Sequence, residues 1–332
     1  MKPTLKHSQQ EKLYHTPEDL RWATSQEVAQ YRAERLKCKI IADIGCGIGF
    51  QTIAFAETCQ KVYAVEINPE KIALAQKNAQ ILNINNIEFI PGDALDPQII
   101  KRLLDVEIIF CDPERVAEEA ERTISSIKPN ILELLDKYSK ITANIAIEFP
   151  PQIKNLPLDG EKEYLSVDGN VNRLTLYLGT LKRSERSAVI LPAKSVLRNN
   201  PLATLSESKK LAQYLYEVNP AVVKAELLAE LCTETKTWLY SRGKNTFCTS
   251  EHHIKSPFFK NSYKVIAKCL FEEQKIIELL QKHDAAKVTL RYTIDPKEYW
   301  KVRNKYESKL KGTTKYSLFQ FDKEAVIGKS TE

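Results

Sequence analysis

Short apolar runs alternate with helix-compatible stretches along the first half of the chain. Five apolar runs are predicted to be strands, and each of the first four ends in a polar or glycine-rich turn, as strands do where they leave a sheet. These runs are residues 40–44, 62–67, 87–91, 108–111 and 141–149. Between them, residues 50–59 and the stretch opened by Asn68-Pro69 are expected to be helices, since proline suits the first helical position. The alternation predicts an α/β fold with a parallel sheet, whose ligands lie at the carboxyl ends of the strands.

A turn marks the end of this sheet. Asp168-Gly169 lies between two apolar runs, residues 164–167 and 173–178, and strongly favours a hairpin. We therefore expect a β-hairpin to close an otherwise parallel sheet. Residues 191–201 lack periodicity and are expected to be a linker.

The C-terminal pattern predicts a second, smaller α/β module. Asn219-Pro220 is expected to cap one helix that continues to Leu231. The further expected elements are strands at 263–269 and 287–293, helices at 272–283 and after Asp295-Pro296, and a hairpin of residues 316–321 with 325–328.

The N-terminal segment is expected to be helical. Thr24 and Glu27 fit a capping box, in which each side chain satisfies a backbone N–H near the start of a helix. We therefore predict three parts: a helical lead-in (1–37), a main α/β domain (38–192) and an accessory domain (193–332).

Composition agrees with an intracellular protein of two domains. With 332 residues and 43% hydrophobic content, the chain can bury two cores. No apolar run approaches the roughly 20 residues of a membrane span, and the first residues lack the apolar segment of a signal peptide. Seven scattered cysteines, an odd number, are typical of reduced thiols. We expect a cytoplasmic protein without a membrane partner.

Charge is shared unevenly between the two halves. Residues 193–332 contain 25 Lys and Arg against 16 Asp and Glu, a net charge of +9, whereas the rest has a net charge of −3. This asymmetry suggests a polyanion such as RNA held by the accessory domain, the alternative being a lysine-rich soluble surface. Lys301, Arg303 and Lys305, interleaved with aromatic residues, are candidate RNA contacts. The alternative is an amphipathic helix whose aromatic rings pack inward.

A glycine loop follows the first strand. Asp43, Gly45, Gly47 and Gly49 form the pattern D-x-G-x-G-x-G. The dinucleotide fingerprint G-x-G-x-x-G would place its third glycine at Phe50, so the chain does not match it. The pattern resembles motif I of class I S-adenosylmethionine-dependent methyltransferases. That resemblance implies that the loop, with Cys46, passes beneath the methionine part of the cofactor and that Asp43 holds its amino group.

Acidic residues follow the next strands too. Glu66 ends the second predicted strand, and a carboxylate there can accept both hydroxyls of a ribose. Asp93 and Ala94 follow the third, where the resemblance implies that an acidic residue contacts the adenine amino group. The series indicates a class I methyltransferase domain: a Rossmann-like sheet, parallel with a terminal β-hairpin.

Resemblance in segments beyond the glycine loop indicates a class of substrate. Residues 22–29, 43–49 and 112–115, with 167–171, 215–225 and 256–258, are similar to bacterial and archaeal methyltransferases that carry a THUMP-like C-terminal domain. More distantly, the region of Trp22 and Thr24 and Asp112-Pro113 resemble trimethylguanosine synthases and RNA guanine N2-methyltransferases. This implies an S-adenosylmethionine-dependent enzyme that modifies RNA, with tRNA and rRNA as the expected classes.

The fourth strand ends in the candidate catalytic motif. In amine methyltransferases an Asp/Asn-Pro-Pro-aromatic motif accepts hydrogen bonds from the exocyclic amine of a flipped base. Here Asp112 and Pro113 are kept, whereas Glu114 and Arg115 replace the second proline and the aromatic residue. A guanidinium can stack on a base, so Arg115 could substitute for the ring, and Trp22 is a second candidate.

Three further hypotheses stay open. The motif could be only a strand-to-loop turn with Trp22 in the core. The protein could instead be a small-molecule methyltransferase, or an RNA-binding protein whose active site has drifted. Cys248, His252 and His253 resemble only half of a zinc site, so no metal is expected.

Overall fold

The chain divides into two compact units, residues 1–196 and 197–332, in a computed structural model that describes residues 6–115, 124, 127–153 and 156–331. The described strands of the first unit are β1 (Ile40–Ile44), β2 (Lys61–Glu66), β3 (Ile87–Pro91), β4 (Ile108–Cys111), β5 (Glu114–Arg115), β6 (Ile127–Lys128), β7 (Ile145–Phe149), β8 (Glu161–Val167), β9 (Asn170–Tyr177), β10 (Arg186–Leu191) and β11 (Ser195–Arg198), which crosses the boundary. Its described helices are α1 (Pro17–Trp22), α2 (Gln26–Arg35), α3 (Phe50–Thr58), α4 (Pro69–Ile81), α5 (Pro97–Lys101) and α6 (Ile131–Tyr138).

The larger sheet has nine strands in the order β11-β10-β8-β9-β7-β4-β1-β2-β3. β1 pairs in parallel with β2 and β4, β2 with β3, and β4 with β7. β9 runs antiparallel to both β7 and β8, which confirms the predicted hairpin. Contrary to the prediction, the hairpin is not the edge of the sheet, because β10 pairs in parallel with β8 and β11 lies beyond it. From β1 the chain proceeds outward to β3 and then returns to β4 on the other side of β1. The carboxyl ends of β1 and β4 therefore flank the switch point at which open α/β sheets bind ligands.

Burial explains why these strands read as continuous apolar runs. All four residues of β4 are buried, and β1 is buried from Ile41 to Ile44, because helices cover both faces of a parallel sheet. The predicted bounds of β1, β3 and β4 match the structure, and β2 lies one residue earlier than predicted. The predicted α/β fold with a mostly parallel sheet is confirmed.

Helix α2 is attached to this sheet by buried charges. The Arg35 guanidinium lies 2.8 Å from Glu161 Oε2 and 3.4 Å from Glu163 Oε2, and it stacks over the Tyr177 ring. Tyr31 donates a further hydrogen bond to Glu163 Oε2 at 2.9 Å. These side chains are almost wholly shielded from solvent, so the charges must be paired where they lie.

Several local predictions were wrong. Ser25, at the N-cap of α2, makes no side-chain cap; the capping box joins Thr16 and Asp19 at the start of α1. The expected linker contains β11, and the fifth strand begins at Ile145 rather than at residue 141. The helix capped by Asn219 ends after one turn.

The second unit has a seven-stranded sheet in the order β13-β14-β12-β15-β18-β17-β16. Its described strands are β12 (Tyr214–Val218), β13 (Trp238–Ser241), β14 (Phe247–Ser250), β15 (Phe259–Leu270), β16 (Ala285–Leu290), β17 (Thr314–Phe321) and β18 (Glu324–Ser330). Its described helices are α7 (Pro220–Lys224), α8 (Leu228–Thr235), α9 (Glu273–Lys282) and α10 (Tyr299–Glu307). The predicted smaller α/β module and its final hairpin are present. None of the described helices combines the length and apolar character needed to cross a bilayer.

Candidate functional site

The glycine loop between β1 and α3 is held against the end of β2. The backbone N–H groups of Gly45 and Cys46 donate to the Val65 carbonyl at 2.9 and 3.1 Å. The Gly47 N–H donates to Glu66 Oε2 at 2.9 Å. Because three successive N–H groups are used by β2, the loop does not offer them to a phosphate, in agreement with the mismatch to the dinucleotide fingerprint.

Close approach to the loop after β4 requires a glycine at position 45. Gly45 has φ +78°, and a Cβ there would lie 2.9 Å from the Asp112 carbonyl oxygen. The Asp112 N–H in turn donates to the Ile44 carbonyl at 3.2 Å. At Gly47, by contrast, the position of a Cβ faces open space among the described residues. The two predicted motifs are thus in direct contact at the switch point, and the loop leaves room beside Gly47.

Asp43 lies beneath this loop with one oxygen satisfied. It is buried, and Oδ2 accepts a hydrogen bond from Thr52 Oγ1 at 2.5 Å. Oδ1 is buried and has no hydrogen-bond partner among the residues that the structure describes. Burial, with the nearby Asp112 and Glu66 carboxylates, raises the pKa of Asp43 to about 7, although Thr52 and Arg32 oppose that rise. An unpartnered buried acceptor is costly, so Oδ1 suits a ligand that donates a hydrogen bond.

Glu66 has a structural role in addition to the ribose contact predicted from its place at the end of β2. Its buried carboxylate accepts from the Gly47 N–H through Oε2 and from the Asn68 N–H through Oε1, each at 2.9 Å. Each carboxylate oxygen can accept more than one hydrogen bond, so both remain able to meet ribose hydroxyls. Glu66 therefore positions the glycine loop itself, a function that strand-end chemistry alone does not predict.

The residues after β3 lie at the same edge of the sheet. Asp93 is exposed, and its Oδ1 accepts from the Leu95 N–H at 2.9 Å. Ala94 is buried, and its carbonyl accepts from the Tyr138 hydroxyl at 2.7 Å. The predicted roles of Asp93 and Ala94 at an adenine stay predictions.

The candidate catalytic motif leads directly into a small ribbon. Asp112 is half-buried and Pro113 is buried. The backbones of β5 and β6 then pair antiparallel, with Arg115 opposite Ile127. The side chain of Arg115 lies outside what the structure describes, so its predicted stacking stays a prediction.

Arg32 is a component of the site that sequence reasoning missed. Its guanidinium donates to Gln51 Oε1 at 2.8 Å, pairs with Glu148, and lies 4.6 Å from the centre of the Phe110 ring. Burial alone would lower the pKa of Arg32, but Glu148 and more distant acidic groups, Asp43 included, raise it overall. A buried cation thus balances carboxylates under the strand ends. The sequence signal was a charged residue four positions after Val28 on an otherwise apolar helical face.

The lead-in segment contacts the glycine loop through Asn78 of α4. The Asn78 side chain accepts from the Tyr14 N–H at 2.7 Å and donates to the Tyr14 and Ile48 carbonyls, both at 3.0 Å. Trp22, at the end of α1, is 52% exposed, with the Arg21 guanidinium 5.1 Å from its ring centre. The alternative that placed Trp22 in the core is therefore wrong, and its contact with a base stays a prediction.

The three basic candidates of the second unit lie on α10, and each has a carboxylate partner. Lys301 pairs with Glu298 at 3.0 Å, Arg303 with Glu307 at 2.8 Å and Lys305 with Glu273 at 3.9 Å. The aromatic residues of this helix are divided: Tyr306 is buried, as the amphipathic alternative requires, whereas Trp300 is 63% exposed. RNA contact by these three side chains stays a prediction. No group of three or more potential metal ligands occurs in the described part of the chain.

Comparison with known proteins gives consistent similarities. Residues 38–156 match the family of RNA cap guanine-N2 methyltransferases. An uncharacterised S-adenosylmethionine-dependent methyltransferase of Mycobacterium tuberculosis is 23% identical over 292 residues, which cover 85% of this chain and 78% of that protein. An uncharacterised RNA methyltransferase of Oceanobacillus iheyensis is 38% identical over 81 residues, or 24% of this chain and 18% of that protein.

A solved structure extends the similarity of fold to almost the whole chain. A candidate methyltransferase from Porphyromonas gingivalis superimposes with a TM-score of 0.78 at 17% identity, covering 96% of this chain and 84% of that one. The predicted cofactor agrees with the description of the Mycobacterium tuberculosis relative. The fold is that of a class I methyltransferase, as predicted, and the chain is similar to S-adenosylmethionine-dependent methyltransferases over most of its length.

Proposed function

We propose that this protein is an S-adenosylmethionine-dependent methyltransferase that methylates a base in RNA, with tRNA and rRNA as the expected classes. The observation that carries the proposal is the convergence at the switch point. There an unpartnered buried oxygen of Asp43, the open side of the loop at Gly47 and the Asp112-Pro113 motif lie at neighbouring strand ends.

The cofactor is S-adenosylmethionine, which supplies an electrophilic methyl group on a sulfonium. Its amino group is a hydrogen-bond donor and so fits Asp43 Oδ1, the acceptor that lacks a partner. Gly45, Cys46, Gly47 and Gly49 form the loop beside it, and Glu66 accepts from ribose hydroxyls while holding that loop. Asp93 and Ala94 flank the adenine.

Asp112 and Pro113 position the acceptor. The Asp112 carboxylate and a backbone carbonyl accept hydrogen bonds from an exocyclic amine, which aims its lone pair at the methyl group. The amine loses its proton after attack, so no strong general base is needed. Arg115 and Trp22 provide surfaces on which the flipped base stacks.

RNA as the substrate is supported by three observations. Residues 38–156 are similar to RNA cap guanine-N2 methyltransferases, and several partial relatives are described as RNA methyltransferases. The net charge of +9 on residues 193–332 suits a polyanion. The division into 1–37, 38–192 and 193–332, the THUMP-like character of the last part and a cytoplasmic location belong to the same proposal.

The test separates this function from its alternatives. Full-length protein is incubated with S-adenosylmethionine carrying a deuterated methyl group and total RNA from cells that lack the protein, and the nucleosides are analysed by mass spectrometry. One nucleoside should gain the labelled methyl with the wild type but not with Asp112→Ala, and the exposed control Asp136→Ala should behave like the wild type. Label transferred to a metabolite extract but not to RNA would favour a small-molecule enzyme. Binding of cofactor and RNA without transfer would favour a drifted RNA-binding protein.

A further inference from the structure

Two helices of the second unit lie on one face of its sheet, towards opposite ends. Cys248 of β14 contacts Cys232 of α8, with their sulfur atoms 4.0 Å apart, and Tyr216 is paired with Cys248. Tyr216 and, by alternation, Tyr214 therefore face the side on which α8 lies. On β18, Ile327 packs into one cluster with Ile276 of α9, so the side chains of alternate β18 residues face α9.

Between these helices, a row of paired residues crosses a strip of the sheet that consists of β12, β15 and β18. Tyr214 of β12 is paired with Lys264 of β15, which is paired with Lys329 of β18. Lys329 is two residues from Ile327 and so faces α9, which shows that the row lies on the helix-bearing face. Both lysines are exposed, so neither helix covers this part of the strip.

The two lysines form an unusual pair. Side chains directly opposite on antiparallel strands have Cβ atoms about 4.5–5.5 Å apart, and like charges in this arrangement are destabilising. Neither Lys264 nor Lys329 forms an ion pair within the described ranges, unlike Lys301 and Lys305 of α10. An anion placed between the two ammonium groups would relieve their repulsion.

Aromatic rings border this pair. The centre of the half-buried Tyr214 ring lies 6.5 Å from that of Tyr216, whose ring stacks on Phe259 at 4.5 Å. The Tyr214 ring is therefore supported by other aromatic rings. The exposed His253 ring lies 5.4 Å from Tyr214, and its Nε2 is 3.2 Å from Thr331 Oγ1. Ring faces next to paired cations combine the two features by which proteins bind single-stranded nucleic acid.

We propose that this strip, formed by Tyr214, His253, Lys264 and Lys329, binds a single-stranded segment of RNA, with phosphates at the lysines and a base against the rings. The inference deepens the proposed function, because it assigns a substrate contact outside the methyl-transfer site. It also differs from the sequence-based expectation, which placed RNA on α10.

Salt dependence tests the lysines. Binding of a fluorescein-labelled twelve-nucleotide oligouridine to full-length protein is followed by fluorescence anisotropy across a range of KCl concentrations. Each lost phosphate contact on a single strand should reduce the slope of log K against log salt by about 0.7, so K264Q/K329Q should reduce it by about 1.4. The matched variant K275Q/K282Q, with the same charge change at exposed positions of α9, should keep the wild-type slope.

Replacement of the ring provides an independent test. Tyr214→Leu should weaken oligouridine binding by about 5- to 150-fold, the range for loss of one stacked base, with no change in slope. Equal slopes in K264Q/K329Q and the wild type, equal changes in both double variants, or no binding of oligouridine by the wild type would each overturn the proposal. So would a phosphoserine peptide that binds the strip in place of oligouridine.

Cofactor affinity and nucleoside methylation are measured on the same proteins, which keeps the two proposals distinguishable. RNA held at the strip without methyl transfer would refute the proposed function and leave the surface intact. Methyl transfer with K264Q/K329Q unaltered in RNA affinity and salt slope would refute the surface and leave the function intact.

Discussion

Replacing Asp43 by asparagine should change how the stability of the first unit depends on pH. Burial raises the pKa of this carboxyl from 3.8 to about 7 in the folded protein. One pKa unit corresponds to about 1.36 kcal/mol, so ionising Asp43 costs the folded state about 4 kcal/mol relative to the unfolded chain. The stability associated with the protonated form is complete below about pH 4 and is lost as the pH rises to about 7.

Asparagine cannot ionise, so the Asp43→Asn variant does not suffer this loss. Its free energy of unfolding relative to the wild type should rise by about 4 kcal/mol between about pH 4 and pH 7, and level off at higher pH. The amide places a buried donor where Oδ1 has no partner, which costs about 1–3 kcal/mol. That cost lowers the whole curve without changing its dependence on pH.

Peptide-resolved hydrogen exchange suits this measurement, because a chain of two units need not unfold in one step. Wild type and variant are compared at each pH on peptides from β1 and α3, with β17 of the second unit as an internal reference. Asp136→Asn is the matched control, since it makes the same change at an exposed position. A difference between Asp43→Asn and the wild type that does not vary with pH would refute the raised pKa of a buried Asp43 carboxyl.

Three further variants test the site. Glu66→Ala should weaken cofactor binding by about 1.5–3 kcal/mol in calorimetry, because both the ribose acceptor and the anchor of the loop are lost, whereas exposed Glu70→Ala should not. Asp112→Ala should lower kcat at least about 100-fold with cofactor affinity nearly intact; wild-type turnover would make this motif a structural turn. Asn78→Ala removes three hydrogen bonds that hold the backbones of Tyr14 and Ile48, so trypsin should cleave the lead-in faster than in the exposed control Gln80→Ala, and equal rates would contradict a role of Asn78 in holding the lead-in.

The strands and loops of the site were predictable because their constraints are local. Residues 40–44, 87–91 and 108–111 are short apolar runs bounded by polar residues, glycine or proline, and a parallel sheet buries such runs on both faces. That Gly45 and Asp112 lie at one edge of the sheet followed from the rule on the carboxyl ends of parallel strands, whereas their direct contact depends on β1 pairing with β4, which was not predicted. The roles of these residues toward cofactor and acceptor remain predictions.

What the sequence missed depends on contacts between distant segments. The partners of Arg32 lie 19 and 116 residues away, so its burial is invisible to periodicity. The helix after Asn219 breaks near Glu226, which adopts φ +57°, although its apolar residues suit a continuous helix. The short strands β13 and β14 have four residues each, too few for alternation to be distinctive.

The ion pairs of α2 limit how this domain can be divided by deletion or fusion. A fragment that began at residue 38 would keep Glu161 and Glu163 at the sheet but would lose Arg35 and Tyr31. Removing one partner of a buried pair costs about 3–5 kcal/mol, which is a large fraction of the roughly 5–15 kcal/mol by which a typical domain is stable. The glycine motif therefore cannot be transferred to another protein as a fragment that begins at β1. Viable gene rearrangements should fall before α2, and the polypeptide ahead of β1 should be retained wherever this sheet is.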